Sequence, residues 1–161
     1  VGTFAVQIAK SFGAEVTGVC STRNVEILRS IGADHIIDYT EDDLAQHKER
    51  YDLVLGVNGS NSISAYKRVL KLNGKFVHVG GSESQLYQTL FLGPFISLTG
   101  SKKISSLLQR ANQKDLNDVR ELLEIGKVKP IIDKRFKLSE ITEAFKYFQE
   151  GHAQGKVVIT L

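Results

Sequence analysis

The stretch Asp52-Leu53-Val54-Leu55-Gly56-Val57 constrains the fold most. A nearly continuous apolar run of this length, without polar alternation, is the mark of a strand covered on both faces. Such strands belong to parallel sheets, whose crossovers are usually helices. The neighbouring sequence supplies both kinds of element. Phe4, Ala5, Ile8, Ala9 and Phe12 form the apolar stripe of a helix, and Gly13 ends it where a positive φ costs nothing. Glu15-Val16-Thr17-Gly18-Val19 reads as a short β-branched strand. Val25, Leu28 and Ile31 carry a second helix, with Asn24 as its N-cap and Gly32 closing it. Residues 33–39 give a third strand, and Thr40 with Asp43 resembles a capping box opening a polar helix through Lys48. Ile63, Tyr66, Val69 and Leu70 lie on a helix closed by Asn73-Gly74, and Lys75-Phe76-Val77-His78-Val79 is a further strand. The alternation predicts an α/β fold, a Rossmann-like doubly wound parallel sheet.

After Ser82 the pattern changes. Residues 86–98 are apolar and interrupted by Gly93-Pro94, which predicts a kinked helix. Residues 103–108 read as a strand. A helix runs from Asp115 with Leu116, Val119, Leu122 and Leu123 on one face, ended by Gly126. Residues 129–138 are extended, held open at Pro130. Ser139 caps a helix bearing Ile141, Ala144, Phe145 and Phe148, which Gly151 stops, and residues 156–161 form a last strand.

In doubly wound sheets ligands bind at the carboxyl ends of the strands. The candidate site is therefore a set of strand exits: 21–24, 38–39, 58–59 and 80–82. The exit after Val19 is the most informative. In a dinucleotide-binding fold, an acid at the end of the second strand accepts from the 2′-hydroxyl of NAD, whereas small polar and basic residues accommodate the 2′-phosphate of NADP. Here that exit carries no acid but Ser21, Thr22 and Arg23, two hydroxyls and a guanidinium suited to bidentate phosphate contact. Gly59 and the pair Gly80-Gly81 suit close approach of backbone to ligand, and equally suit simple tight turns.

The chain opens Val1-Gly2 and goes straight into a helix, where a nucleotide-binding unit should first show a strand and a glycine-rich turn. Gly2 reads as the last glycine of that turn, with the first strand and the other glycines absent, or as an ordinary terminus. An absent first strand leaves a gap at the sheet centre. The β-branched run 156–161 could fill it, from its own chain or a neighbouring one, the latter giving a strand-exchanged dimer. Its alternative is pairing with residues 131–136.

With 161 residues and a formal charge of +3, the chain has room for one core and no basic run that would signal nucleic acid. No apolar stretch approaches the roughly 20 residues of a membrane span. The single cysteine, Cys20, excludes an internal disulfide and fits a reducing, cytoplasmic compartment. Its place at a strand end suits a small buried hydrophobe. Four dispersed histidines and one cysteine offer no metal-ligand spacing. No nucleophilic or acid–base constellation stands out, which suits hydride transfer, where the nicotinamide carries the chemistry.

The motifs V-G-T-F-A-V-Q-I-A-K, C-S-T-R-N, L-R-S-I-G-A-D-H-I-I-D-Y, Y-D-L-V-L-G-V-N-G, G-K-F-V-H-V-G-G and G-K-V-K-P-I-I-D occur in order. By these the chain resembles the cofactor-binding domain of the medium-chain dehydrogenase/reductase superfamily, in its zinc-independent quinone oxidoreductase branch. The resemblance implies NADPH-dependent reduction of quinones, enones or related carbonyl compounds, and a homodimer. It places Gly2 at the phosphate turn, Ser21, Thr22 and Arg23 at the 2′-phosphate, and Tyr39 near the adenosine. It places Asn58 and Gly59 beside the cofactor's ribose and adenine side, and Gly80 and Gly81 near the nicotinamide. It divides the chain into an incomplete NADP-binding domain, residues 1–130, and a segment, 131–161, that returns to a catalytic domain. With that domain absent, the chain alone is expected to bind NADPH weakly and to be inactive. The alternatives are the cofactor domain of a zinc-type alcohol dehydrogenase and a non-catalytic nucleotide-binding module.

Overall fold

The computed structural model describes residues 1–161 apart from 43–45, 60, 82, 108, 109 and 152. Its elements in order are α1 (Gly2–Ser11), β1 (Thr17–Cys20), a 3₁₀ turn (Thr22–Asn24), α2 (Val25–Ser30), β2 (His35–Asp38), β3 (Tyr51–Gly59), α3 (Ile63–Val69) and β4 (Leu70–Gly81). There follow α4 (Glu83–Thr99), β5 (Lys103–Ser106), α5 (Gln113–Glu124), β6 (Ile132–Lys137), a 3₁₀ turn (Leu138–Glu140), α6 (Ile141–Gln149) and β7 (Lys156–Thr160). The chain forms two compact units: Val1–Tyr39 with Asn112–Leu161, and Thr40–Ala111. Every ladder is parallel, as the α/β reading requires, but among the described residues the ladders form three sheets, β1-β2, β3-β4-β5 and β6-β7, rather than one continuous sheet.

In the first unit β1 and β2 pair from Thr17↔His35 to Cys20↔Asp38. Val6, Cys20 and Leu28 form the core beneath them, with Val16, Val25, Ile31, Ala33 and Ile36 packed around it. Gly18 is glycine for a packing reason, because a Cβ there would meet Leu28 Cδ1 at 2.6 Å. The buried residues of α1 are Val6 and Gln7, not the predicted stripe, and Phe12 is 80% exposed because it lies past the helix end as its C-cap. Burial of a glutamine is tolerated because its amide is satisfied: Nε2 donates to the carbonyls of Thr3 (2.9 Å) and Lys129 (3.0 Å), and Oε1 accepts from Lys129 N–H (2.8 Å). Asn24 sits at the N-cap of α2 without a side-chain cap bond; its amide reaches back to Ser21 Oγ at 3.3 Å.

The last strand takes the alternative place. β7 pairs with β6 from Ile132↔Lys156 to Lys137↔Thr160, and among the described residues it makes no ladder with β1 or β3. Lys156 N–H donates to Ile131 O at 2.7 Å, and the absence of a side chain at Gly155 lets the backbones approach there. Those contacts start the β6 ladder, so among the described residues of this chain β7 does not take the central place. The α5 N-cap is Asn112, whose Oδ1 accepts Asp115 N–H at 2.8 Å, so the helix begins earlier than its apolar pattern. Before α6 it is Glu140, through Lys137 N–H (2.8 Å), and not Ser139, that holds the turn.

In the second unit the order is β3-β4-β5. The Tyr66 ring of α3 stacks on Phe76 of β4, centroids 4.4 Å apart, and Phe76 is fully buried. The expectation that β3 is covered on both faces is corrected. Gly56 is buried against the Phe76 ring, while Leu53 and Leu55, which alternate onto the other face, are 53% and 43% exposed. α3 stops at Val69 rather than at Asn73-Gly74, because Leu70 is already extended and pairs with Tyr51; Asn73 then turns the chain at φ 63°. α4 runs through Pro94, and Ser97 Oγ of α4 accepts Ile104 N–H of β5 at 3.0 Å. The predicted Thr40–Asp43 capping box falls on residues outside the description, and residues 47–50 are not helical.

Candidate functional site

The carboxyl ends of the strands group the predicted residues into two sets, one in each unit. In the first unit Cys20 and Asp38 are in register, so residues 21–24 and Tyr39 leave adjacent strand ends. Tyr39 N–H donates to Cys20 O at 2.9 Å, which fixes the second exit to the first, and its ring is 58% exposed. Ser21 is extended, then Thr22–Asn24 turns tightly, closed by Asn24 N–H to Ser21 O at 2.8 Å. Thr22 and Arg23 lie exposed on that turn, and the Arg23 carbonyl accepts from Gln154 Nε2 at 2.8 Å. Gly2 opens α1 on a separate element of the same unit; a Cβ there would meet nothing within 4 Å, so its own packing does not demand glycine.

The structure shows which exits are neighbours. Asp38, from β2, stands beside the end of β1, where the sequence of β1 alone offers no acid. The Cys20 thiol is pushed above its ordinary range, mainly by burial and then by the Asp38 charge, which fits an inert packed sulfur.

In the second unit Gly59 and Gly81 are in register at the ends of β3 and β4, which brings Asn58, Gly59, Gly80 and Gly81 to one edge. Asn58 (φ 52°), Gly80 (φ 71°) and Gly81 (φ 145°) all adopt left-handed backbone. The space beside Gly80 is open, as a close ligand approach needs. Gly59 differs: a Cβ there would overlap the Tyr66 hydroxyl, so packing alone requires glycine. Just before this edge His78 is 4% exposed, and its Nε2 and the Ser106 Oγ beside it in register are buried without a hydrogen-bond partner among the described residues. Ser82, also read into these exits, lies outside the described residues.

A depression in the first unit lined by Gln7, Lys10, Ser11, Lys127, Lys129 and Ile131 includes none of the predicted site residues. Among the described residues no three His, Cys, Asp or Glu side chains group as metal ligands, and no helix is long and apolar enough to cross a membrane.

Residues 31–159 match the family model described as a zinc-binding dehydrogenase. The chain is 34% identical over 190 residues to the mitochondrial NAD(P)H oxidoreductase RTN4IP1 of Bos taurus, covering all of this chain and 45% of that protein. It is 34% identical over 164 residues to the chloroplastic quinone-oxidoreductase QR1 of Triphysaria versicolor, covering 99% and 49%. The solved quinone oxidoreductase from Coxiella burnetii superposes with a TM-score of 0.81 at 28% identity, over all of this chain and 49% of that one. The chain thus spans about half the length of the curated relatives it matches.

Proposed function

The chain belongs to the zinc-binding dehydrogenase family of the medium-chain dehydrogenase/reductase superfamily, and on that premise we propose that it is the cofactor-binding part of an NADPH-dependent oxidoreductase acting on quinones, enones or related carbonyl compounds. The observation that carries the reading is the Ser21-Thr22-Arg23 turn at the end of β1, with Ser21 half-buried and Thr22 and Arg23 exposed. Two hydroxyls and a guanidinium there provide donors for a 2′-phosphate. Tyr39, fixed beside them through Cys20 O, offers an exposed ring to the adenosine. Gly2 offers an open approach at the α1 N-terminus, whose unpaired N–H groups favour a pyrophosphate. By the family resemblance, Asn58 with Gly59 is assigned to the ribose and adenine side and Gly80-Gly81 to the nicotinamide end; within their own unit Gly80 and Gly81 have the left-handed backbone that suits a close ligand. When bound, the reduced nicotinamide supplies the hydride; these residues bind, orient and select.

Segment 131–161 is assigned to the return toward a substrate-binding domain, and the assembly to a homodimer; within the chain β7 is paired with β6. Mitochondrial and chloroplastic relatives give the cytoplasmic expectation no support.

The test is kcat/KM with NADPH and with NADH in the full-length protein, before and after Arg23→Ala. One charge-assisted phosphate contact is worth about 1.5–3 kcal/mol, so NADPH should be preferred by about tenfold or more and Arg23→Ala should remove most of the preference. Equal values in the wild type, which the carboxylate of Asp38 would favour, overturn the NADPH assignment.

A further inference from the structure

The turn that carries Arg23 is held from outside its own strand. We propose that Gln154, seated on Asp133 and Tyr147, is a positioning residue that fixes Arg23 for the 2′-phosphate and so helps set cofactor specificity. The inference rests on the reading of Ser21-Thr22-Arg23 given above.

Three hydrogen bonds in series make the brace. Tyr147 Oη of α6 donates to Asp133 Oδ2 of β6 at 2.6 Å. The same oxygen accepts the backbone N–H of Gln154 at 3.1 Å. The Gln154 side chain then donates from Nε2 to the carbonyl of Arg23 at 2.8 Å, across 131 residues of sequence. A carboxylate therefore anchors the backbone of residue 154, and its side chain anchors the backbone of residue 23.

Charged groups of both signs stand around the brace. The Tyr147 hydroxyl is pushed above its ordinary range, first by its bond to Asp133, while the Arg23 charge acts on it in the opposite sense. Lys134 Nζ lies 4.5 Å from the centre of the Tyr147 ring and 5.2 Å from that of Phe136, adding a second cation.

A guanidinium on a free loop must be ordered by its ligand, and that ordering is subtracted from affinity. On a turn fixed beforehand the loss is already met. Gln154 therefore acts through Arg23 and should matter for the phosphate more than for the rest of the nucleotide.

The experiment uses the purified protein with 2′,5′-ADP and 5′-ADP as probes. Dissociation constants are followed by NMR titration to millimolar concentration. {¹H}-¹⁵N NOE values for Thr22, Arg23 and Asn24 are recorded without nucleotide. The variants are Gln154→Met, which keeps the volume and deletes the donor, Tyr147→Phe and Arg23→Ala. In Gln154→Met the three NOE values should fall and the preference for 2′,5′-ADP should drop about fivefold, with 5′-ADP binding changed less than twofold. Tyr147→Phe should move both readouts the same way by less. Unchanged NOE values in Gln154→Met, or a preference kept within twofold while Arg23→Ala abolishes it, overturn the brace. If Arg23→Ala itself leaves the preference intact, or the wild type shows none, the 2′-phosphate reading fails and the specificity role with it, whatever the NOE values.

Discussion

Gly59→Ala tests whether a glycine at the candidate site serves a ligand or serves the fold. Its φ is not among the left-handed values, so alanine suits the backbone and, with open space, would be neutral or stabilise by about 0.4–1 kcal/mol. The space is not open. The new Cβ would sit closer to the Tyr66 hydroxyl oxygen than the 3.0 Å that real Cβ atoms keep. That oxygen cannot swing aside, because the Tyr66 ring is 5% exposed and stacked at 20° on the fully buried Phe76. Overpacking of this kind costs about 1–3 kcal/mol. For a chain of this size the loss should appear as a fall of about 3–8 °C in Tm. Tyr66→Phe removes only the offending oxygen, and the nearest remaining ring atom, Cζ, stands at 3.4 Å, an ordinary contact. The double variant should recover the loss, with a coupling of about 1 kcal/mol or more in a double-mutant cycle. A Gly59→Ala protein that melts within 1 °C of wild type, or one that loses the same stability in the Tyr66→Phe background, refutes the packing account.

Two further outcomes follow from the first unit. Gln7→Met should destabilise by about 2–4 kcal/mol, because Lys129 is left with an N–H and a C=O that lose their partner; denaturation in urea showing less than about 0.5 kcal/mol would contradict it. Asp34 is held below the ordinary carboxylate range, first by the Lys10 ammonium and then by Val16 N–H, at 2.8 and 2.7 Å. Its folded pKa lies below its unfolded one, so its contribution is present above the ordinary carboxylate range and fades as pH falls through the depressed value. The stability difference between wild type and Asp34→Asn should therefore be constant near neutrality and shrink below about pH 4, and a difference that grows on acidification would reverse the sign.

The parts legible in sequence were those governed by local sterics or period. Gly13, Gly32, Gly126 and Gly151 were each read as helix ends, and each has φ between 70° and 94°. The strand exits were likewise legible, because parallel strands put their carboxyl ends together. What pattern could not show was which neighbour covers a face. The apolar run in β3 gave no sign that Leu53 and Leu55 would stand exposed, and the stripe on α1 missed Gln7, whose burial depends on a backbone partner at residue 129. That Asp38, in the second of those exits, stands beside Cys20 was not legible, because that proximity arises between strands. The Asp133, Tyr147 and Gln154 series had no local signal at all, since its target lies more than a hundred residues away.

The first unit is made from two stretches of chain, Val1–Tyr39 and Asn112–Leu161, with the whole second unit between them. During synthesis α1, β1 and β2 therefore emerge long before the residues that complete them, and the Gln7 amide stays in water until Lys129 arrives. The same arrangement changes what a backbone cut means. A nick within residues 40–111 severs the chain but none of the bonds from Gln7 to Lys129 or from Gln154 to Arg23. After such a cut the two stretches are held together by non-covalent contacts alone.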